Sequence, residues 1–427
     1  MQNKNHLILV NTLSYGGIET FVLRISQQFV GIGDKVTVVV LTRNFSPEIV
    51  SEISGIAKIV FLDQFLDIGA LKISKLPIFF SVFSINRKKL RVFFDQEYDH
   101  IHATDSITLI YANLVKKFFQ NAILTCGIYH IGEFMYDVSP RLRLSFWMNN
   151  LFKKSLDTRN IIYYNEYCEE VYRRVYHFEK SNNIFPIGVD LANWDFLPDR
   201  NVKKLKIVTV GRLVDFKTYH FFMLDIVQEV LSMGINVNYV IYGDGPLRST
   251  LEKRVVELGI SNTVQFKGAV RYDTIKTLIR DSCIFVGSGT ALVEAAALGI
   301  PALAMIDGAD LPITYGYIHE ISGISFQEKA TGQKEFSIKE KLLNVLKLSD
   351  LEYFEICKKS RAKAESLSIK ITLRKFIELL DKKIDSGTVF EQYKMFELLF
   401  LVFIDLLQFN KKLSNIYNSR YKNTKIL

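Results

Sequence analysis

The most constraining feature of this chain is a series of short, nearly continuous apolar runs, repeated in plan across two halves. In the first half the runs are Leu7–Val10, Lys35–Leu41, Ile59–Leu62, His100–Ala103, Ala122–Thr125 and Asn160–Tyr164. In the second they are Lys206–Val210, Val237–Tyr242, Val264–Lys267, Ile284–Val286 and Ala302–Ala304. Helix-length amphipathic stretches separate them. A strand with one wet face alternates apolar and polar residues, whereas a strand covered on both faces reads as an unbroken Val/Ile run. The pattern therefore predicts an α/β chain of two doubly wound parallel sheets, each layered by helices. The halves share a plan but no sequence, which excludes a short-period repeat array.

Between the halves, Phe185–Lys204 loses its periodicity and carries Pro186, Gly188 and Pro198, the residues that punctuate a chain. The organisation expected is a Rossmann-like domain over residues 1–185, a hinge over 186–204, a second Rossmann-like domain over 205–385 and a helical basic tail over 386–427. Two such domains leave a cleft, and open α/β sheets take ligands beyond the carboxyl ends of their strands.

Composition narrows the classes. The 427 residues are 48% hydrophobic and 23% charged, which excludes a disordered or low-complexity chain. The four cysteines (Cys126, Cys168, Cys283, Cys357) are scattered without CxxC or Cys/His spacing, so neither a disulfide framework nor a metal site is expected, and a reducing, cytoplasmic setting fits. The amino terminus reads as a first strand and not as a signal peptide. The longest apolar stretches, Leu76–Ile85 and Phe396–Phe409, are interrupted by Pro77 and by Glu397 and Asp405, short of a membrane span. A formal charge of +9 points to an anionic partner, and the absence of helix-turn-helix, zinc-finger or RNP-like runs argues against nucleic acid.

Four motifs carry chemistry. Gly16 and Gly17 follow the first strand and open a helix, so backbone N–H groups there can approach an anion; a tight βα turn would look the same. Gly211-Arg212 and Lys217 follow the first strand of the second half. The arginine offers a bidentate fork to phosphate and the lysine a point charge, although two solvated loop cations are the alternative. Gly243 and Gly245, in Tyr242-Gly243-Asp244-Gly245-Pro246, read as a turn giving backbone clearance near the cleft. Finally Ser288-Gly289-Thr290-Ala291-Leu292 runs from a strand into a helix carrying Glu294. The loop makes an anion cradle and the carboxylate can accept two ribose hydroxyls; N-capping by Ser288 or Thr290 is compatible with both.

GRL-x-x-x-K, YGDGP-x-x-x-x-LE, V-x-F-x-G (Val264, Phe266, Gly268) and EAAALGIPAL occur here in that order. With GGIE, YDHIHATDS and IFPIGVD in the first half, the succession resembles retaining GT-B glycosyltransferases of the family 4 type, over roughly residues 7–380. The resemblance implies that Arg212 and Lys217 neutralise a departing nucleoside diphosphate and that Glu294 holds the ribose. It implies that Gly289–Leu292 cup the diphosphate, that the neighbourhood of Gly268 lines the base pocket, and that Gly16 and Gly17 admit donor phosphate and acceptor. It also matches His130 to a histidine touching the transferred sugar. The family shows two acids eight positions apart, and counting back from Glu294 gives Val286. The first acid is missing, so sugar contacts fall to Ser288, Thr290 or main-chain N–H groups.

The function expected is metal-independent transfer of a hexosyl group, with retention, from a UDP- or GDP-linked sugar to a saccharide or lipid-linked saccharide acceptor in cell-surface polysaccharide synthesis. No cofactor is called for. The basic amphipathic stretch 64–94 and the tail suit either an anionic bilayer on the inner face of the cytoplasmic membrane or ordinary buried helices with solvated ends. A catalytically silent GT-B partner subunit and a nucleotide-sugar epimerase are the alternatives.

Overall fold

A computed structural model describes residues 3–14, 16–66, 85–94, 96–129, 131–134, 152–153, 156–192, 194–196, 205–329 and 332–384. His130, most of the 64–94 stretch, much of the hinge and the tail from 385 onward lie outside the described residues. The chain divides into two units: Met1–Phe185 together with Thr372 onward, and Pro186–Ile371.

The first unit is built on six parallel strands, β1 (Asn5–Val10), β2 (Lys35–Val40), β3 (Lys58–Phe61), β4 (His100–Ala103), β5 (Ile123–Ile128) and β6 (Ile161–Tyr163), in the order β3-β2-β1-β4-β5-β6. Leu7 of β1 pairs with Thr37 on one side and Ile101 on the other. One sheet face, carrying Leu7, Leu9, Val39, Ile101, Leu124 and Cys126, packs with Leu109, Ile110 and Tyr111 into an apolar core.

The opposite face carries a buried polar thread. Asp34 Oδ2 meets His6 Nε2 at 2.9 Å, His6 Nδ1 meets His100 Nδ1 at 3.0 Å, and His100 Nε2 meets Thr125 Oγ1 at 2.8 Å. Thr125 Oγ1 also lies 2.8 Å from His102 Nδ1, and His102 Nε2 lies 3.2 Å from the Tyr129 hydroxyl. A chain of this kind satisfies groups that would each cost free energy if buried alone. Burial drives His100 well below the usual imidazole range, with His6 and His102 adding to the effect, and brings His102 to about 3. Both are therefore neutral at pH 7.

Two helices cover this face. From Gly17–Gly31, Phe29 stacks on His6 at 3.8 Å. From Ile369–Asp381, Phe376 lies 5.9 Å from the ring of His100, 5.5 Å from His102 and 5.1 Å from Phe185. Lys375 Nζ donates to Ile184 O (2.9 Å), and Lys4 pairs with Asp381 (2.7 Å). Periodicity alone extends the second domain to residue 385, whereas the chain from Thr372 onward packs with the first unit. Periodicity identifies an apolar stripe on a helix but not the sheet it covers. Phe376→Ala is expected to destabilise the first unit by about 3–5 kcal/mol, the usual cost of emptying a buried phenylalanine site, and urea denaturation would measure it.

The second unit holds β7 (Leu205–Val210), β8 (Val237–Tyr242), β9 (Val264–Gly268), β10 (Ile284–Gly287), β11 (Ala302–Met305), β12 (Ile313–Tyr317) and β13 (Phe336–Ser337). The order is β13-β12-β11-β10-β7-β8-β9. Strands β7–β11 are parallel, and β12 and β13 extend the sheet antiparallel. Successive residues bury on opposite faces: Val208, Val240 and Phe285 in one core, Ile207, Tyr239, Ile241 and Val286 in the other. Double-sided burial explains the continuous apolar runs. In each unit the strand order reverses beside the first strand of the sheet, between β1 and β4 and between β7 and β10, which marks the topological switch points.

Candidate functional site

At the switch point of the second unit, the loops after β7 and β10 emerge side by side. The β7 loop begins at Gly211, whose N–H donates to Tyr242 O (2.9 Å). Its tight course depends on two glycines of the β8 loop, Gly243 at φ +145° and Gly245 at φ +155°. A Cβ on Gly243 would overlap the Gly211 carbonyl oxygen, and one on Gly245 the Leu213 carbonyl oxygen. The clearance these glycines provide is thus filled by the neighbouring loop.

Lys217 folds back over the start of its own loop, its Nζ 2.8 Å from where a Gly211 Cβ would stand. The side chain is half-buried and Arg212 is exposed. The Lys217 ammonium is pressed below the usual lysine range, first by desolvation and then by the like charge of Arg212, while Asp307 opposes the shift. Two cations held near each other at a strand end store repulsion that a dianion would relieve.

After β10 only Ser288 and Gly289 precede the helix Thr290–Ala297. Gly289 is the N-cap at φ +75°, and no side chain caps it by hydrogen bond. Ser288 Oγ donates instead to Asp307 Oδ1 (3.0 Å), so the capping role considered for Ser288 or Thr290 is not taken up. The first N–H groups of a helix have no intrahelical acceptor; Leu292 N turns to Gly289 O (3.3 Å), so Thr290 and Ala291 present donors and a positive dipole end beside the two cations.

Glu294, 1% exposed, lies one turn into this helix and accepts a hydrogen bond at Oε1 from Tyr272 OH (2.8 Å). Gly268 ends β9 at φ +74°, its carbonyl accepting from Gly243 N (2.7 Å) and its open side facing Arg248 Nη1. The strand ends thus bring Arg212, Lys217, Ser288 and the helix start together, with Glu294 behind them and Gly268 two strands away from β7.

Asp307 and Tyr272 were not singled out from sequence. Asp307 follows β11, half-buried, and its carboxyl is raised to about 6 by desolvation, with Lys217 and Ser288 pulling the other way. Position 286, where the first acid was sought, is Val286 inside β10, wholly buried in the core.

In the first unit, Gly16 is the N-cap of Gly17–Gly31 in extended backbone. A Cβ on it would strike the Glu19 carboxylate, which Thr12 Oγ1 anchors at 2.6 Å, whereas Gly17 has open space around it. Gly17 is therefore the glycine with room for a ligand.

Two parallel sheets of Rossmann order, each with its switch point beside its first strand, follow the plan of the GT-B fold. Residues 15–193 match the model described as Glycosyltransferase Family 4 and residues 192–309 that described as Glycosyl transferases group 1. The chain belongs to the family 4-type GT-B glycosyltransferases. Among curated proteins it is 24% identical over 296 residues to the phosphatidylinositol N-acetylglucosaminyltransferase gpi3 subunit of Schizosaccharomyces pombe, covering 67% of this chain and 62% of that one. It is 22% identical over 306 residues to the GPI3 subunit of Saccharomyces cerevisiae, covering 67% and 64%. The chain therefore spans less than two thirds of the length of these relatives. Among solved structures, a glycosyltransferase from Rickettsia africae aligns at a TM-score of 0.64 with 13% identity over 90% of this chain and 99% of that one. TarM of S. aureus, in a complex containing UDP and alpha-GlcNAc-glycerol, aligns at 0.62 with 12% identity over 88% and 100%.

Proposed function

We propose that this glycosyltransferase moves a hexosyl or N-acetylhexosaminyl group, with retention, from a nucleoside-diphosphate sugar to a lipid-linked or saccharide acceptor. The observation that carries the reading is the convergence of Arg212, Lys217 and the uncapped start of Thr290–Ala297 at the second switch point. As the glycosidic bond to the β-phosphate breaks, negative charge grows on the leaving diphosphate, and preorganised donors there stabilise it more than they stabilise the ground state. These cations can do the neutralising that a divalent metal does in other sites. Glu294, held by Tyr272, would accept the ribose hydroxyls, and Gly17 would admit the acceptor side.

The curated relatives act, by name, on phosphatidylinositol, which favours a lipid acceptor; the cell-surface polysaccharide assignment rests on the motif resemblance alone. No helix among the described residues is long and apolar enough to cross a membrane. The helix Arg87–Phe93 exposes Lys88, Lys89 and Arg91, with Val92 73% exposed, a composition suited to an anionic membrane face. A thermal-shift screen with UDP, GDP and their sugar conjugates tests donor binding by mass action. Glu294→Gln is expected to weaken nucleoside-diphosphate binding about tenfold in calorimetry, the scale of losing a charge-assisted hydrogen bond. The alternative of a silent partner subunit is favoured by Val286 standing where an acid was expected and by the word subunit in the relatives' names. Turnover by the purified chain alone would eliminate it.

A further inference from the structure

The β10 loop is too short to bring an acid to the donor site. Only Ser288 and Gly289 separate Gly287 from Thr290, and the position eight before Glu294 is committed to the strand. A carboxylate nevertheless reaches this loop from the next strand over. Asp307 stands two residues beyond β11, and its Oδ1 accepts from Ser288 Oγ at 3.0 Å.

The backbone around Asp307 is pinned from both sides. Asp307 N donates to Gln327 O (2.8 Å), Gly308 N to Phe216 O (2.5 Å), and Thr218 Oγ1 to Ala309 O (2.7 Å). Phe216 and Thr218 belong to the loop that carries Arg212 and Lys217, so the acid is fixed between the cation loop and the helix start. Its Oδ2 has no hydrogen bond to any described residue, and the side chain is only half-buried.

A carboxylate beside a diphosphate site repels the phosphate, so it is useful there only where a neutral hydrogen-bond donor comes next along the ligand. In a sugar nucleotide, that neighbour is the sugar itself. We propose that Asp307 binds a hydroxyl of the transferred sugar, Oδ2 accepting from it while Ser288 holds Oδ1. Lys217 favours the ionised, accepting form. This rests on the glycosyl-donor reading and adds to it the residue that senses the sugar.

The test compares nucleotide and sugar nucleotide on one protein. Calorimetry with UDP, UDP-N-acetylglucosamine, UDP-glucose, GDP and GDP-mannose would be run on wild type, Asp307→Ala and Asp307→Asn. For whichever base binds, both variants are expected to lose about tenfold or more in affinity for the sugar nucleotide, since a hydrogen bond to a charged group goes. Affinity for the bare diphosphate should stay within about twofold or tighten, since a negative charge leaves. Asp307→Asn keeps an acceptor for Ser288, so it preserves the loop if the alanine variant misfolds. Equal losses for both ligands, or no loss for either, would overturn the role of Asp307 while leaving the donor reading standing. Failure of the wild type to bind any of the nucleotides would overturn both.

Discussion

Arg212→Ala and Lys217→Ala are each expected to lower kcat by about 10²–10³-fold, the loss of about 2.7–4 kcal/mol of transition-state stabilisation seen when one preorganised donor is removed. Neither side chain is part of the hydrophobic cores of the second unit, so circular dichroism and the melting temperature should change little. The two losses differ in origin. Arg212 is exposed and supplies only its fork of N–H donors. Lys217 also offsets the desolvation of Asp307, so its removal raises the Asp307 pKa further and shifts the acid limb of the pH–rate profile upward, an effect absent from Arg212→Ala. On the proposed leaving-group role the two cations serve one diphosphate, so the double variant should fall short of the sum of the single losses. Single-turnover rates at saturating donor would measure all three. Wild-type turnover in either single variant would remove these residues from the leaving-group site.

The second large effect is acid lability of the first unit. His100 and His102 are buried neutral, with folded pKa values far below the 6.5 of an unfolded histidine. Below pH 6.5 the unfolded chain takes up protons that the folded one refuses, so their stabilisation is complete above 6.5 and lost as the pH falls. The slope is about 1.4 kcal/mol per pH unit for each such group. The slope builds up only below pH 6.5, so the pair costs about 3 kcal/mol between pH 6.5 and 5, a large part of an ordinary domain's stability.

The second unit has depressed histidines too, buried His220 at about 3 and half-buried His319 at about 4. There, however, Asp307 and Glu328 are raised to about 6 and about 7. A carboxyl whose folded pKa lies above its unfolded value gains protons on folding, which strengthens the fold as the pH drops through that range. The opposing signs should leave the second unit nearly level from pH 6.5 to 5 while the first weakens. Hydrogen-exchange mass spectrometry across this range would show it, and simultaneous loss of protection in both units would refute it. His102→Gln should flatten the slope in the first unit.

The strands were readable because double-sided burial writes itself as unbroken Val/Ile runs, and the eleven segments found that way correspond to β1–β11. The pair β12–β13 was missed for a local reason: β13 has two residues, and β12 contains Gly316 at φ +96°. The helix Ile369–Asp381 was visible as a helix, but its attachment to β4 depends on contacts between residues more than 270 positions apart, such as Phe376 with His100. In the candidate site, glycines and cations at strand ends announce themselves by spacing. Asp307 and Tyr272 do not: each is a single polar residue in an aperiodic segment, and its meaning comes from what the fold sets next to it. The buried thread of His6, His100, Thr125 and His102 was likewise hidden, because its members are scattered over three strands.

The return of the chain to its first unit at Thr372 also bears on biosynthesis. Residues 186–371 form one uninterrupted stretch, so that unit can close as soon as it clears the ribosome. The unit begun first lacks Phe376 and its helix until the whole of the second unit has been translated. Until then the imidazoles of His100 and His102 and the ring of Phe29 lack one wall of their burial. Vectorial synthesis ordinarily lets the amino-terminal domain finish first; here the order of completion is reversed, and a nascent chain stalled before residue 372 should present chaperones and proteases with an unfinished amino-terminal half beside a finished successor.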